Sequence, residues 1–296
     1  MGYTTLISVA DLASHLHDPD VVVFDCRHDL ADPDFGARAY AESHISGARF
    51  ASVDRNLSGP LTGTNGRHPL PAPDVFMAWL GRSGVSNRSQ VVGYDHAGGA
   101  YAARLWWLLR WLGHPRVAVL DGGWQAWSAA GQPVTKDMPA PTPVVFSGQA
   151  DNSAVDAQYV SQRFNTPEMV LIDARGSDRF HGENETLDPI AGHIPGALNR
   201  FFKDNLTADG QFKSPVELRA AFSPLMGETS AGNVIHQCGS GITACHNLLA
   251  MEVAGLPGTR LYAGSWSEWC ADDNRPVARG SETIAGAVKV PSSERS

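Results

Sequence analysis

No apolar stretch in this chain is long enough to cross a bilayer. Its strongest runs, such as Val21-Val22-Val23-Phe24, stop far short of the ~18 residues a membrane helix needs. The opening residues, Met1-Gly2-Tyr3-Thr4-Thr5, carry neither the basic nor the long apolar segment of a secretory leader. No Lys/Arg cluster interrupts a net charge of −8, so a nucleic acid would meet a repulsive field. Cysteine is scarce: Cys26, Cys238, Cys245 and Cys270 are too few and too scattered for a disulfide framework. They form no C-x-x-C pair, and with the eleven histidines they give no zinc spacing. These absences predict a cytoplasmic protein with free thiols and no nucleic-acid or membrane partner.

What is present is an ordinary globular composition, 43% hydrophobic and 18% charged, which excludes disorder as the dominant state. A length of 296 residues suggests two domains at the usual ~150 residues each.

Four features of the first half recur, in order, in the second. An apolar run ends in Asp25-Cys26-Arg27 and again in Asp173-Ala174-Arg175. A His-Ile turn follows, His44-Ile45-Ser46-Gly47-Ala48 and then His193-Ile194-Pro195-Gly196-Ala197. A second apolar run leads into a small-residue loop at Asp95 and at Cys238. Last come Gly122-Gly123-Trp124-Gln125-Ala126-Trp127 and Gly264-Ser265-Trp266-Ser267-Glu268-Trp269. One long period over the whole chain means a duplicated domain; solenoid repeats are far shorter. The expected boundaries are a first domain at 1–138, a linker at 139–152 marked by Pro139, Pro141 and Pro143, a second domain at 153–283 and a Ser-rich tail at 284–296.

Within each half, short Val/Ile/Leu runs alternate with helical patterns. That alternation predicts an α/β fold, each domain a mainly parallel sheet flanked by helices on both faces. Such sheets place ligands at the carboxyl ends of their strands, which directs attention to the strand ending at Gln237.

Cys238-Gly239-Ser240-Gly241-Ile242-Thr243-Ala244 follows that strand and leads into a helix expected near Thr243. Two glycines in four residues let the loop turn its N–H groups inward, and the helix adds the positive end of its dipole. Both favour a thiolate, a good nucleophile. A lone cysteine is more often a buried structural residue, but the glycines and the strand–loop–helix setting reverse that preference here. The corresponding place in the first half holds Asp95, which cannot act as a sulfur nucleophile.

Together these motifs resemble the two-domain rhodanese-fold sulfurtransferases, and the cysteine loop is similar to that of 3-mercaptopyruvate sulfurtransferases. The resemblance covers nearly the whole chain. It implies a catalytic second domain and a first domain of the same fold without the nucleophile. It also implies the chemistry: Cys238 takes sulfur from a small-molecule donor as a persulfide and passes it to a thiol or cyanide acceptor, a thioredoxin-like protein being one such thiol. No metal or organic cofactor is needed. Gly239, Gly241, Ile242 and Thr243 would form the binding loop, with their N–H groups stabilising the outer sulfur.

Thiosulfate enzymes of this fold typically carry basic residues right after the cysteine. Gly239 and Ser240 are uncharged, which favours a monoanionic 2-oxo acid, 3-mercaptopyruvate, over thiosulfate. Arg179 matches an arginine that binds the donor carboxylate in that family; without the resemblance, a surface ion pair with Asp178 or Glu183 explains it equally well. Asp54, His68 and Ser240 match a proton relay, although a histidine in Gly66-Arg67-His68-Pro69 is by itself more often a turn residue. One departure counts against the donor. The family's second substrate arginine, shortly before the His-Ile turn, is missing from Asn184-Glu185-Thr186-Leu187-Asp188-Pro189-Ile190-Ala191-Gly192, leaving His181 as a partial substitute.

Cys245, Cys26, Cys270 and the Trp124/Trp127 and Trp266/Trp269 pairs are expected to be core residues. A cysteine phosphatase requires Cys-x5-Arg, and position 244 is alanine. Thiosulfate turnover and persulfide relay to a protein partner remain the alternatives to mercaptopyruvate.

Overall fold

A computed structural model describes residues 2–281, and the expected tail at 284–296 lies outside them. The chain divides into two units. The first runs to Gly59 and takes up Leu70–Asn152 and Leu206–Lys213; the second holds Pro60–Pro69, Ser153–Asn205 and the chain from Ser214 onward.

The first unit contains strands β1 (Leu6–Ile7), β2 (Val21–Asp25), β3 (His44–Ile45), β4 (Arg49–Phe50), β5 (Gln90–Tyr94), β6 (Val117–Leu120) and β7 (Val134–Thr135). Its helices are α1 (Val9–His15), α2 (Phe35–Glu42), α3 (Pro73–Arg82), α4 (Ala102–Trp111) and α5 (Gly123–Ala129). The main sheet is parallel in the order β1-β6-β5-β2-β4, while β3 and β7 pair antiparallel beside it.

The second unit contains β8 (Ala154–Val155), β9 (Val170–Asp173), β10 (Leu198–Asn199), β11 (Val234–Gln237) and β12 (Arg260–Tyr262), with helices α6 (Ala157–Arg163), α7 (Ser177–His181), α8 (Pro215–Met226), α9 (Ala244–Val253) and α10 (Ser265–Trp269). Its sheet is parallel in the order β8-β12-β11-β9-β10, the first unit's order strand for strand.

The duplication extends to side-chain contacts. Arg27 donates from Nε and Nη2 to Asp25, as Arg175 does to Asp173. Each guanidinium lies over a tryptophan, Trp124 at 4.3 Å and Trp266 at 4.9 Å. His44 stacks on Tyr40 and bonds its carbonyl through Nδ1; His193 does the same with Phe180.

The central strands β5 and β11 are buried at every residue, as expected of apolar runs covered on both faces. The helices that follow them, α4 and α9, are buried almost all round, so neither needs a polar stripe. Where α9 does bury polar groups they are satisfied: Asn247 accepts from Asn205 Nδ2 at 2.7 Å and donates to the Arg200 carbonyl at 2.9 Å. Trp127, Trp266 and Trp269 are fully enclosed, and Trp124 packs against the first core. The proline-rich stretch has no helix or strand, but its later part is tied to the first unit, Val144 N–H to Gly81 O at 2.9 Å and Asp151 N–H to Trp111 O at 3.0 Å.

Candidate active site

β11 ends at Gln237 and delivers Cys238, 2% exposed, at the carboxyl end of the central strand. The Gly241 N–H points at Cys238 Sγ, 3.1 Å away. Gly241 has a φ of +78°, and a Cβ there would lie 2.3 Å from the Ala263 carbonyl, so no other residue fits this bend. The turn before α10 fixes the other side of the loop. Trp266 and Ser267 N–H groups donate to the carbonyls of Cys238 (3.0 Å) and Gly239 (2.9 Å). The Cys238 N–H donates to Ser265 Oγ at 3.1 Å, and that hydroxyl donates to the Tyr262 carbonyl at 2.9 Å. Ile242 is buried, and Thr243 is the residue before α9, which starts at Ala244. The sulfur thus has a backbone donor aimed at it, and α9 begins within the same loop.

Ser240 and His68, both buried, meet at 2.7 Å between Oγ and Nδ1. His68 lies in the first half of the sequence, yet Pro60–Pro69 folds with the second unit. Asp54 belongs to the first unit, where its half-exposed carboxylate stands 4.0 Å from His28 Nδ1.

Arg179 extends from α7, and its ion-pair partners are not the two expected from neighbouring positions. Its guanidinium bonds Glu185 at 2.8 Å and Asp188 at 3.2 Å, whereas Asp178 takes the Arg179 backbone N–H instead. Adjacent residues on a helix do not face each other, so the Asp178 carboxylate is turned away from the Arg179 head group, whose partners come from the loop after α7. Both carboxylates are buried. Burial would raise the Glu185 carboxyl, but hydrogen bonds from Arg179 outweigh it and hold it below the usual range. For Asp188 burial prevails and raises it.

Asp188 has a second partner that sequence reading passed over. Arg67, beside His68, bonds Asp188 through Nη1, and its backbone N–H donates to Ser267 Oγ at 3.0 Å. Gly66-Arg67-His68-Pro69 drew attention only for its histidine; nothing local in the sequence ties position 67 to position 188. His181 instead bonds Ser177 Oγ at 3.1 Å.

The other thiols are core residues. Cys245 donates to the Gly241 carbonyl at 3.3 Å and is fully buried. Burial pushes Cys270 up to about 12 and Cys26 well above its ordinary value, which leaves both protonated and inert.

In the first unit the equivalent loop holds an anion of its own. The Asp95 carboxylate accepts from the N–H groups of Ala97 (2.7 Å), Gly99 (2.9 Å), Tyr101 (2.8 Å) and Ala102 (2.8 Å).

The chain is similar to known proteins over most of its length. The profile of the family described as rhodanese-like domain matches residues 8–130 and again 156–272. The chain is 48% identical over 283 residues to a Pseudomonas aeruginosa protein named a probable 3-mercaptopyruvate sulfurtransferase, covering 95% of this chain and 100% of that one. It is 34% identical over 279 residues to the thiosulfate sulfurtransferase of Mus musculus, covering 90% and 92%. Among solved structures, the 3-mercaptopyruvate sulfurtransferase from Leishmania major superposes with a TM-score of 0.79 at 31% identity, over 90% of this chain and 74% of that one.

Proposed function

This chain belongs to the rhodanese-like family and is a sulfurtransferase, and we propose that it moves sulfur from 3-mercaptopyruvate to a thiol or cyanide acceptor through a persulfide on Cys238. The Cys238 thiolate attacks the donor sulfur, forming an S–S bond as the C–S bond breaks. The electron pair of that bond leaves with the carbon fragment as the enolate of pyruvate, which must take up a proton. Attack of the acceptor on the outer sulfur then returns the thiolate. The Gly241 N–H, aimed at Sγ, supports the negative charge at both stages.

The observation that carries the donor assignment is the 2.7 Å contact between Ser240 and His68, two residues from the nucleophile. A 2-oxo thiol donor needs a proton source for its leaving enolate, and a hydroxyl backed by imidazole provides one. Thiosulfate needs none, because sulfite leaves as a stable dianion. Arg179 is read as a ligand of the donor carboxylate, and Asp54 as a further catalytic residue. The four cysteines, none of them in a disulfide, suit a reducing compartment, the cytoplasm, and no helix among the described residues is long and apolar enough to cross a membrane.

The test is kcat/KM with 3-mercaptopyruvate and with thiosulfate, cyanide as acceptor, for wild type, Ser240→Ala and Asp54→Asn. Mercaptopyruvate turnover is expected to fall about 100-fold in Ser240→Ala, with thiosulfate turnover nearly unchanged. A larger kcat/KM for thiosulfate in the wild type, or an equal loss with both donors in Ser240→Ala, overturns the donor assignment.

A further inference from the structure

Two guanidinium groups converge on Gly239, the residue after the nucleophile. A Cβ built there would lie 2.9 Å from Arg67 Nη2, 3.4 Å from Arg179 Nη1 and 3.5 Å from Arg179 Nη2. The loop that offers no charged side chain in sequence is therefore faced by guanidinium groups in space, one of them from a residue 172 positions away. Each guanidinium is anchored by one edge. Arg67 gives Nη1 to Asp188, and Arg179 gives Nε and Nη2 to Glu185 and Nη2 to Asp188. Among the described residues, Arg67 Nη2 and Arg179 Nη1 donate to no protein acceptor, and both groups are partly exposed.

We propose that Arg67 is a donor-binding residue of this enzyme, forming with Arg179 a split clamp that takes one oxygen of the donor carboxylate on each free Nη group. Asp188 is the positioning residue that holds Arg67 in place. The two arginines face two buried carboxylates, Glu185 and Asp188, so the four groups together carry no net charge. A clamp of that kind offers directed hydrogen bonds with little excess positive charge, which suits a monoanionic carboxylate better than a dianion. It also explains Gly239: a side chain at that position would displace Arg67 Nη2. The missing arginine in residues 184–192 is thus supplied from Pro60–Pro69, through an ion pair to the aspartate in that segment.

This inference rests on the reading of the donor as a 2-oxo acid, and the two are separable by experiment. Steady-state constants with both donors would be measured for wild type, Arg67→Lys, Arg67→Met and Arg67→Met/Asp188→Asn, together with the rate at which the preloaded persulfide is discharged by cyanide. The double variant removes both charges of the pair and guards against a folding defect in Arg67→Met. The expected result is a rise of about tenfold or more in KM for mercaptopyruvate in both Met variants, a smaller rise in Arg67→Lys, and an unchanged discharge rate. Gly239→Ala should raise that KM in the wild type and not in the Arg67→Met background. A mercaptopyruvate KM unchanged by Arg67→Met, or a discharge rate that falls with it, overturns the clamp. Failure of the donor reading shows separately, as a wild-type preference for thiosulfate.

Discussion

Asp95 and Cys238 stand at the same point of two copies of one fold, at the end of the central strand. The carbonyl of each is bonded by the N–H of the equivalent tryptophan, Trp124 at 2.8 Å and Trp266 at 3.0 Å. The loops that follow differ in what they enclose. The first folds its N–H groups around a carboxylate that is part of the chain, and four of them are already spoken for. The second aims an N–H at a thiol sulfur and opens toward two half-anchored arginines. An anion cradle can thus serve stability or chemistry, depending on whether its anion is resident or transient.

The sharpest way to break this comparison is to remove the sulfur. Cys238→Ser should lower turnover with either donor by at least about 1000-fold, since a hydroxyl forms no persulfide. Its melting curve should stay near that of the wild type. Residual turnover above that level would place the nucleophile elsewhere.

The converse substitution is Asp95→Ala. It strands four N–H donors, two of them on buried and two on half-buried residues, and the expected loss is on the order of 3 kcal/mol of stability. Denaturant unfolding followed together with kcat would read it: the midpoint should fall while kcat of the folded fraction stays the same. A fall in kcat without loss of stability would mean that the first loop takes part in the chemistry.

How much of this was legible beforehand differs between the two loops. The repeat, the strand–loop–helix setting and Cys238 follow from patterns within a few residues of one another, because local geometry fixes where a parallel strand ends and what a Gly-rich turn can do. That Asp95 lacks a nucleophile was readable; that its carboxylate fills the nest was not, since it depends on four backbone directions. Ser240 and His68 were paired only through the family resemblance. Arg67 was missed altogether, because a charge delivered from Pro60–Pro69 onto Gly239 leaves no trace in the spacing of either segment.

A smaller asymmetry lies two residues before Cys238. His236 is fully buried in β11, its Nδ1 without a hydrogen-bond partner among the described residues and its Nε2 3.0 Å from Met251 Sδ, where the first unit has Gly93. Burial pushes its imidazole down to about 3. The unfolded chain, with an ordinary histidine near 6.5, therefore binds a proton that the folded one refuses between these values. Stability falls as pH drops through that window, by up to about 1.4 kcal/mol per pH unit for this group and about 2 kcal/mol by pH 5. Hydrogen exchange at pH 7 and pH 5, corrected for intrinsic rates, should show α9 losing more protection than α4. Equal losses in the two helices would mean that His236 is not the source.

The finest test concerns the two residues that brace the loops from behind. Gly123 and Ser265 hold the same left-handed backbone, φ 55° and 54°. A glycine adopts it freely; a serine is strained by about 1–2 kcal/mol. In return Ser265 Oγ receives the Cys238 N–H and bonds the Tyr262 carbonyl, contacts each of which contributes about 1 kcal/mol. Ser265→Gly removes the strain together with the hydrogen bonds, so its stability should lie within about 1 kcal/mol of the wild type. Ser265→Ala removes the hydrogen bonds and keeps the strain, and should be less stable than the glycine variant by about 1 kcal/mol. The difference between the two variants reads the strain less the extra unfolded-state freedom of glycine, about 0.5–1 kcal/mol. If they melt together, the strain at Ser265 is no larger than that entropy difference, and the serine stands there chiefly for its bond to the Cys238 backbone.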